Sequence, residues 1–112
     1  MDLLDELQNL IQLLQASIKS LRTTSQAKAS AEREYKILLR QECLKLRDEG
    51  MAIGMIDKTC YGIPSVAEAR FKRDIAEANY DANKEAIQSY KLQIRLIENS
   101  INREYGMEGK QL

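Results

Sequence analysis

Apolar residues recur at helical spacing near both ends of this chain. From Leu3 to Leu21, leucine and isoleucine fill three positions of each heptad, which gives a broad apolar face on a helix. Near the C-terminus a narrower series steps by three and four residues, as in a coiled-coil seam: Ile87, Tyr90, Ile94, Ile97 and Ile101. Both patterns predict long amphipathic helices.

The residues that break helices cluster at the centre of the chain. Four of the six glycine and proline residues lie there: Gly50, Gly54, Gly62 and Pro64. Because the flanking sequences contain no strong breaker, the chain is predicted to be a single helical domain, residues 1–112. Its predicted segments are a helix at 2–49, a hinge at 50–64 that can hold a short helix, a helix at 65–105 and a frayed tail at 106–112.

The ends of both helices carry their own signals. Asp2 can cap the N-terminus of the first helix, and Gly50 is the predicted end. Ser65 and Glu68 have the spacing of a capping box, which predicts the start of the second helix. Gly106 is the predicted end of that helix.

Folding back at the hinge would bring the two apolar ends together, with Leu14 beside Ser100 and Leu21 beside Gln93. The predicted fold class is therefore all-α, a long antiparallel helical hairpin resembling a coiled coil. Since two helices alone leave each other half exposed, we expect a homodimer that forms a four-helix bundle. The predicted oligomer interface is Leu3, Leu7, Leu10, Leu14, Ile18, Leu21, Ile94, Ile97 and Ile101.

Charge and composition exclude several classes of protein. The 17 basic and 17 acidic residues balance, which removes any global attraction to nucleic acid or anionic membrane. The acidic N-terminus does not fit a secretory signal, and no apolar run approaches the roughly 20 residues that span a bilayer. We therefore expect a cytoplasmic protein that does not engage a membrane, with Cys43 and Cys60 as reduced thiols.

The sequence offers no candidate catalytic or metal-binding residues. It contains no histidine, the commonest zinc ligand and general base, and a di-metal bundle of the Glu-x-x-His type is therefore excluded. Carboxylates such as Glu32 and Glu34 lie among cations on a predicted helix surface, where we expect them to be solvated. The expectation is a protein that is not an enzyme and takes no cofactor and no small-molecule substrate.

A cationic row on the first helix is the most distinctive polar feature. Between residues 19 and 47 there are eight basic and three acidic residues. Part of this set recurs along one side of the helix, and two arginines of the second helix would extend it: Arg33, Lys36, Arg40, Arg47, Arg70 and Arg73. The row is either a solvated face paired with acidic residues or a surface for nucleic acid or an acidic partner.

The hinge is too apolar for a floppy linker. Its apolar residues either cap the end of the hairpin or form a surface for a protein partner. They are Met51, Ile53, Met55, Ile56 and Tyr61.

Three segments carry a resemblance to known proteins. They are residues 32–50 (EREYKILLRQECLKLRDEG), 66–76 (VAEARFKRDIA) and 90–95 (YKLQIR). In these segments the chain resembles small uncharacterised helical proteins of phages and prophages of Gram-positive bacteria, which are often encoded near single-strand annealing and single-strand-binding genes. The resemblance covers most of residues 30–106.

The resemblance implies a non-catalytic accessory protein in the bacterial host cytoplasm. One expected role is an accessory of phage DNA replication or recombination, acting through protein contacts and, if the basic row binds phosphate, nucleic-acid contacts. The alternative is a protein that binds protein only. It would then inhibit a host enzyme or defence system, as anti-CRISPR proteins do, or act as an assembly scaffold.

Overall fold

The chain folds into two long helices joined by a short helical hinge. The computed structural model describes residues 2–111, and the side chains of residues 2–106. Helix α1 is Leu3–Asp48, α2 is Ile53–Thr59, a 3-10 turn is Cys60–Gly62, and α3 is Pro64–Gln111. Residues 2–111 contain no strand. The predicted all-α antiparallel helical hairpin is confirmed.

Helix α1 begins at the predicted cap. The carboxylate Oδ1 of Asp2 accepts a hydrogen bond of 2.8 Å from the backbone N–H of Asp5. The backbone carbonyl of Asp2 accepts a second bond of 3.0 Å from the N–H of Glu6. Because the first N–H groups of a helix have no partner within it, this side chain satisfies one of them and fixes where α1 starts.

Gly50 ends α1 in a Schellman motif. The N–H of Gly50 donates to the carbonyl of Arg47, and the N–H of Met51 donates to the carbonyl of Leu46, both at 3.0 Å. Gly50 has a φ of 89°, in the left-handed region that glycine adopts without penalty. No atom would lie within 4 Å of a Cβ added there, so the need for glycine comes from the backbone alone.

The start of α3 differs from the predicted capping box at Ser65 and Glu68. Pro64 is the first helical residue, and Ile63 precedes it in an extended conformation with a φ of −63° and a ψ of 128°. The carbonyl of Ile63 accepts the N–H of Ala67 at 2.9 Å. Proline suits the first helical position because its φ is already helical and its missing N–H is not needed there. Ser65 therefore lies inside the helix.

Helix α3 also continues beyond its predicted end. It runs through Gly106 to Gln111, although residues 106–112 were predicted to be a frayed tail; Leu112 lies outside the described residues. Gly106 does not have a positive φ. A glycine inside a helix costs only about 1 kcal/mol relative to alanine, and it ends a helix only when the chain turns left-handed.

The chain divides into two compact units. Unit 1 comprises Met1–Arg22 and Asp81–Leu112, and unit 2 comprises Thr23–Tyr80. Each unit contains part of α1 and part of α3, and unit 2 also contains the hinge.

Unit 1 is built on the seam that the sequence predicts. Ile87 is buried, and the apolar residues that follow it at steps of three and four are half-buried. On α1, half-buried positions recur with the same spacing: Leu3, Leu7, Leu10, Leu14, Ser17 and Leu21. At the polar position, the backbone carbonyl of Ser17 accepts a hydrogen bond of 2.9 Å from the side-chain amide of Asn83.

The register of the two helices differs from the predicted one. Leu10 lines a groove with Gln93 and Ile97, whereas Leu21 was expected beside Gln93. The prediction assumed that α3 starts opposite the end of α1. In the structure α2 lies along the last turns of α1, where Leu44 and Ile56 line one groove. Helix α3 therefore begins opposite an earlier part of α1.

Unit 2 has a small enclosed core beside the hinge. Four side chains are buried there, namely those of Tyr35, Ile56, Cys60 and Val66, and Val66 is fully inaccessible to solvent. Four elements contribute one buried side chain each, namely α1, α2, the 3-10 turn and α3. Because α2 and the 3-10 turn cover one side of the helix pair, side chains in this unit can be removed from water.

Candidate functional site

Cations stack on tyrosines in unit 2. There are three such contacts: Lys28 Nζ lies 4.8 Å from the ring centre of Tyr80, Arg73 Cζ 4.5 Å from that of Tyr35, and Arg70 Cζ 5.9 Å from that of Tyr61. Each joins two different helical elements. The sequence analysis did not predict these pairs, because it did not match the tyrosines with cations. The signal that could have indicated them is a tyrosine in a stretch with few large apolar residues, where a cation is the available packing partner.

Arg73, predicted to belong to a binding surface, is held within the chain. It is half-buried against Tyr35, and its Nε and Nη2 atoms donate to Oδ1 of Asp74 at 3.1 and 2.8 Å. The hydrogen bond with Asp74 raises the pKa of Arg73 further above its ordinary value. Its guanidinium therefore joins α3 to α1, and Arg70, over Tyr61, similarly joins α3 to the hinge.

Four other predicted cations remain on the surface of α1. Arg33, Lys36, Arg40 and Arg47 are all exposed. Lys36 pairs with Glu32 at 3.4 Å, a contact between exposed side chains one helical turn apart that contributes little stability. Among the side chains that the structure describes, none forms an ion pair with Arg33, Arg40 or Arg47.

Large apolar side chains alternate with these arginines. Ile37 and Leu44 are both exposed, and with the arginines they form a row whose members are four, three, four and three residues apart. Such spacing places all five side chains on one side of α1. We call this row the basic–apolar stripe: Arg33, Ile37, Arg40, Leu44 and Arg47.

Open grooves border the stripe. One is lined by Arg33, Lys36 and Ile37 together with Lys28 and Tyr80. The other is lined by residues of α1 and of the hinge: Arg40, Cys43, Leu44, Arg47, Ile53, Ile56 and Asp57. The stripe is therefore not a flat charged face, because its residues line one groove at Arg33 and Ile37 and another from Arg40 to Arg47.

Part of the predicted hinge surface is buried. Ile56 lies in the core of unit 2 because α2 turns it inward, so it is not available to a partner. Met51 is half-buried, and Met55 and Tyr61 are exposed. Ile53, at 75%, is the most exposed large apolar residue among the side chains of residues 2–106, and it adjoins the stripe in the second groove.

Eight of the nine residues of the predicted oligomer interface are half-buried within one chain. They line the seam between α1 and α3 in unit 1: Leu3, Leu7, Leu10, Leu14, Leu21, Ile94, Ile97 and Ile101. Ile18 is the exception and is exposed. The broad apolar face of α1 has two stripes, and the chain uses one of them for its own fold.

The two thiols are close together in unit 2. Cys60 is buried and Cys43 is half-buried, and both are free. Burial, followed by a hydrogen bond with Cys60 and the nearby charges of Cys60 and Asp57, raises the pKa of Cys43 above its ordinary value. Within the described part of the chain, no three Cys, Asp or Glu side chains converge as ligands for a metal ion.

Within the described residues, no helix has the length and apolar character needed to cross a membrane. Comparison with family models, with curated proteins and with solved structures finds no match to this chain.

Proposed function

We propose that this chain is a non-catalytic interaction protein that binds an acidic amphipathic helix of another protein through the basic–apolar stripe. The observation that carries the proposal is the alternation of exposed arginines with exposed Ile37 and Leu44 along one side of α1. Large apolar side chains that stay exposed beside charged ones are typical of protein interaction surfaces.

The spacing of the stripe matches a helical ligand. Arg33, Arg40 and Arg47 are seven residues apart, which is about 10.5 Å along a helix at 1.5 Å per residue. A partner helix that carries Glu or Asp once per heptad would offer a carboxylate to each arginine. Its apolar residues would then lie on Ile37 and Leu44, as in a coiled coil whose flanking charges select the partner.

Nucleic acid fits the same surface less well. A phosphate backbone would use the arginines, but Ile37, Leu44 and the nearby Ile53 would gain nothing from phosphate and sugar. The tyrosines that could stack on bases are partly engaged with cations, since Tyr35 and Tyr80 contact Arg73 and Lys28. A protein ligand uses both kinds of side chain in the stripe.

The biological setting of this interaction rests on the resemblance to phage proteins. On that basis we propose that the partner acts in phage DNA replication or recombination, in the cytoplasm of the bacterial host. An inhibitor of a host enzyme or defence system, or an assembly scaffold, would use the same surface. The identity of the partner distinguishes these roles.

Site-specific photo-crosslinking in a host lysate tests the proposal. A crosslinking amino acid replaces Leu44 in one variant and, as a control, exposed Leu92 of unit 1 in another. We expect position 44 to capture a protein segment with an acidic amphipathic pattern. A synthetic peptide of that segment should bind at least about tenfold more weakly to Arg40→Glu/Arg47→Glu and to Leu44→Gln.

The same variants separate protein from nucleic acid. Arg95→Glu with Leu92→Gln makes matched changes on exposed residues of α3 and should leave peptide binding unchanged. Labelled single- and double-stranded oligonucleotides are tested at low salt in the same way. If they bind, and Arg40→Glu/Arg47→Glu abolishes this binding while Leu44→Gln does not change it, the surface is a nucleic-acid site and the protein-binding proposal is wrong.

A further inference from the structure

We infer that a second copy of this chain packs on an exposed flank of α1 in unit 1, antiparallel to it and about a two-fold axis near Ile11. This inference is independent of the proposed function, because it concerns residues outside the basic–apolar stripe. It also changes the predicted interface, since most of the residues predicted for it lie in the seam of a single chain.

The flank is a second apolar stripe. Leu4, Ile11 and Ile18 are 56%, 38% and 49% exposed, and they recur every seven residues on the side of α1 next to the seam. They cover about 21 Å of helix. Between them lie exposed Gln8 and Gln15, whose uncharged side chains can enter a helix interface at lower cost than lysine or glutamate.

The charges at the two ends of this flank identify the occupant. Residues 7–18 contain no charged side chain. Exposed Asp5 and Glu6 precede this span, and exposed Lys19 and Arg22 follow it. When two copies pair antiparallel about Ile11, the acidic end of each lies against the basic end of the other, and Leu4 of one meets Ile18 of the second. Parallel pairing would bring like charges together.

The rest of unit 1 shows why such a contact is favourable. Ile87 is its only buried apolar residue among the side chains described, and the rest of the seam is half exposed. Two helices cannot enclose their own apolar surface, and a four-helix arrangement can. Because the contact is short, we expect a dissociation constant in the micromolar range rather than an obligate dimer.

Sedimentation equilibrium from about 1 to about 500 µM tests the inference, since this range brackets the affinity expected for a small interface. The full chain should form a dimer. Ile11→Glu should raise the dissociation constant at least about a hundredfold, because the axis brings the two introduced carboxylates together. Leu96→Glu makes the same change at an exposed leucine of α3 and should leave dimerisation unchanged. Circular dichroism should show the same helix content in both variants.

A charge exchange tests the antiparallel orientation. Asp5→Lys alone and Lys19→Glu alone should each weaken the dimer severalfold, and an equimolar mixture of the two variants should form a heterodimer that restores the affinity. A chain that stays monomeric throughout the concentration range would refute the inference. So would a dimer that Leu96→Glu disrupts as strongly as Ile11→Glu, or one that neither single charge reversal weakens.

Discussion

The two units of this protein both pack α1 against α3, but they bury apolar side chains to different degrees. Unit 1 has a long seam of leucine and isoleucine, yet Ile87 is the only buried apolar side chain among those described in this unit. Unit 2 has fewer large apolar residues in its helices, yet it encloses Tyr35, Ile56, Cys60 and Val66. The number of apolar residues therefore does not determine how many side chains are buried. What determines it is the hinge, which covers the helix pair in unit 2.

The difference extends to the surfaces that each unit leaves exposed. In unit 1 the exposed stripe of α1 carries no charge between residues 7 and 18 and has opposite charges at its ends. In unit 2 the exposed stripe carries an arginine every seven residues. The first pattern complements itself and supports the proposed self-association. The second repels its own copy and requires an acidic ligand, which supports the proposed binding of a different protein.

The largest expected effect tests the contrast in burial directly. Val66→Asp should lower the free energy of unfolding by about 3 kcal/mol or more, because the carboxylate has no access to water. The favourable position of an acid near the N-terminus of α3 offsets only about 0.5 kcal/mol of this cost. Ile94→Asp, on the half-exposed seam of unit 1, should cost only about 1 to 2 kcal/mol.

Urea denaturation followed by circular dichroism measures both variants. Each substitution replaces a β-branched apolar residue of α3 with the same acid, so Ile94→Asp is the matched control for Val66→Asp. Equal losses of stability would mean that the seam of unit 1 is as well enclosed as the core of unit 2. The comparison between the units would then fail.

Of the local signals in the sequence, those at Asp2 and Gly50 are confirmed, whereas α3 neither starts with the capping box at Ser65 nor ends at Gly106. The cap at Asp2 and the Schellman motif at Gly50 depend on neighbouring residues only, and both are present. Which of the two apolar stripes of α1 packs against α3 depends on where α3 lies. The spacing of the leucines does not determine that position. The register was wrong for the same reason, because the hinge lies along α1 rather than beyond its end.

The candidate surfaces follow the same rule. That cations are concentrated on α1 could be seen in the sequence, and Arg33, Lys36, Arg40 and Arg47 are exposed as a binding row requires. The inward position of Arg73 could not be seen in the sequence, because its partner Tyr35 lies on the other helix and the contact depends on the register of the two helices. Exposed Ile37 and Leu44 were assigned to no surface, since an apolar residue on a helix is usually expected to be buried.

A smaller effect on stability tests whether the chain requires the left-handed backbone conformation of Gly50 at the end of α1. Gly50→Ala should destabilise the protein by about 1 to 2 kcal/mol, because a side chain at a φ of 89° is strained even in open space. Gly54→Ala is the matched control in α2, where φ is not positive and no atom lies within 4 Å of the added Cβ. It should stabilise by about 0.5 kcal/mol.

Thermal denaturation of the two glycine variants gives the comparison. Since α2 covers the core of unit 2, Gly50→Ala should also expose Cys60 to a thiol reagent, and Gly54→Ala should not. A Gly50→Ala variant as stable as the parent chain would show that the hinge can leave α1 through another backbone conformation. The burial in unit 2 would then not depend on this turn.

The smallest effect concerns the thiol of Cys43, which reports how well the hinge covers the end of α1. Burial and the hydrogen bond with Cys60 raise its pKa above the ordinary value of 9.0, so folding favours the protonated thiol. This stabilisation is complete below pH 9.0 and is lost as the pH rises through the pKa of the folded state.

Between pH 8 and 10, Cys43 should react with iodoacetamide more slowly in the folded chain than in urea, because the thiolate is the reactive form. The stability of the parent chain should fall more over this pH interval than that of a Cys43→Ala variant, and identical slopes would mean that folding does not raise the pKa of Cys43.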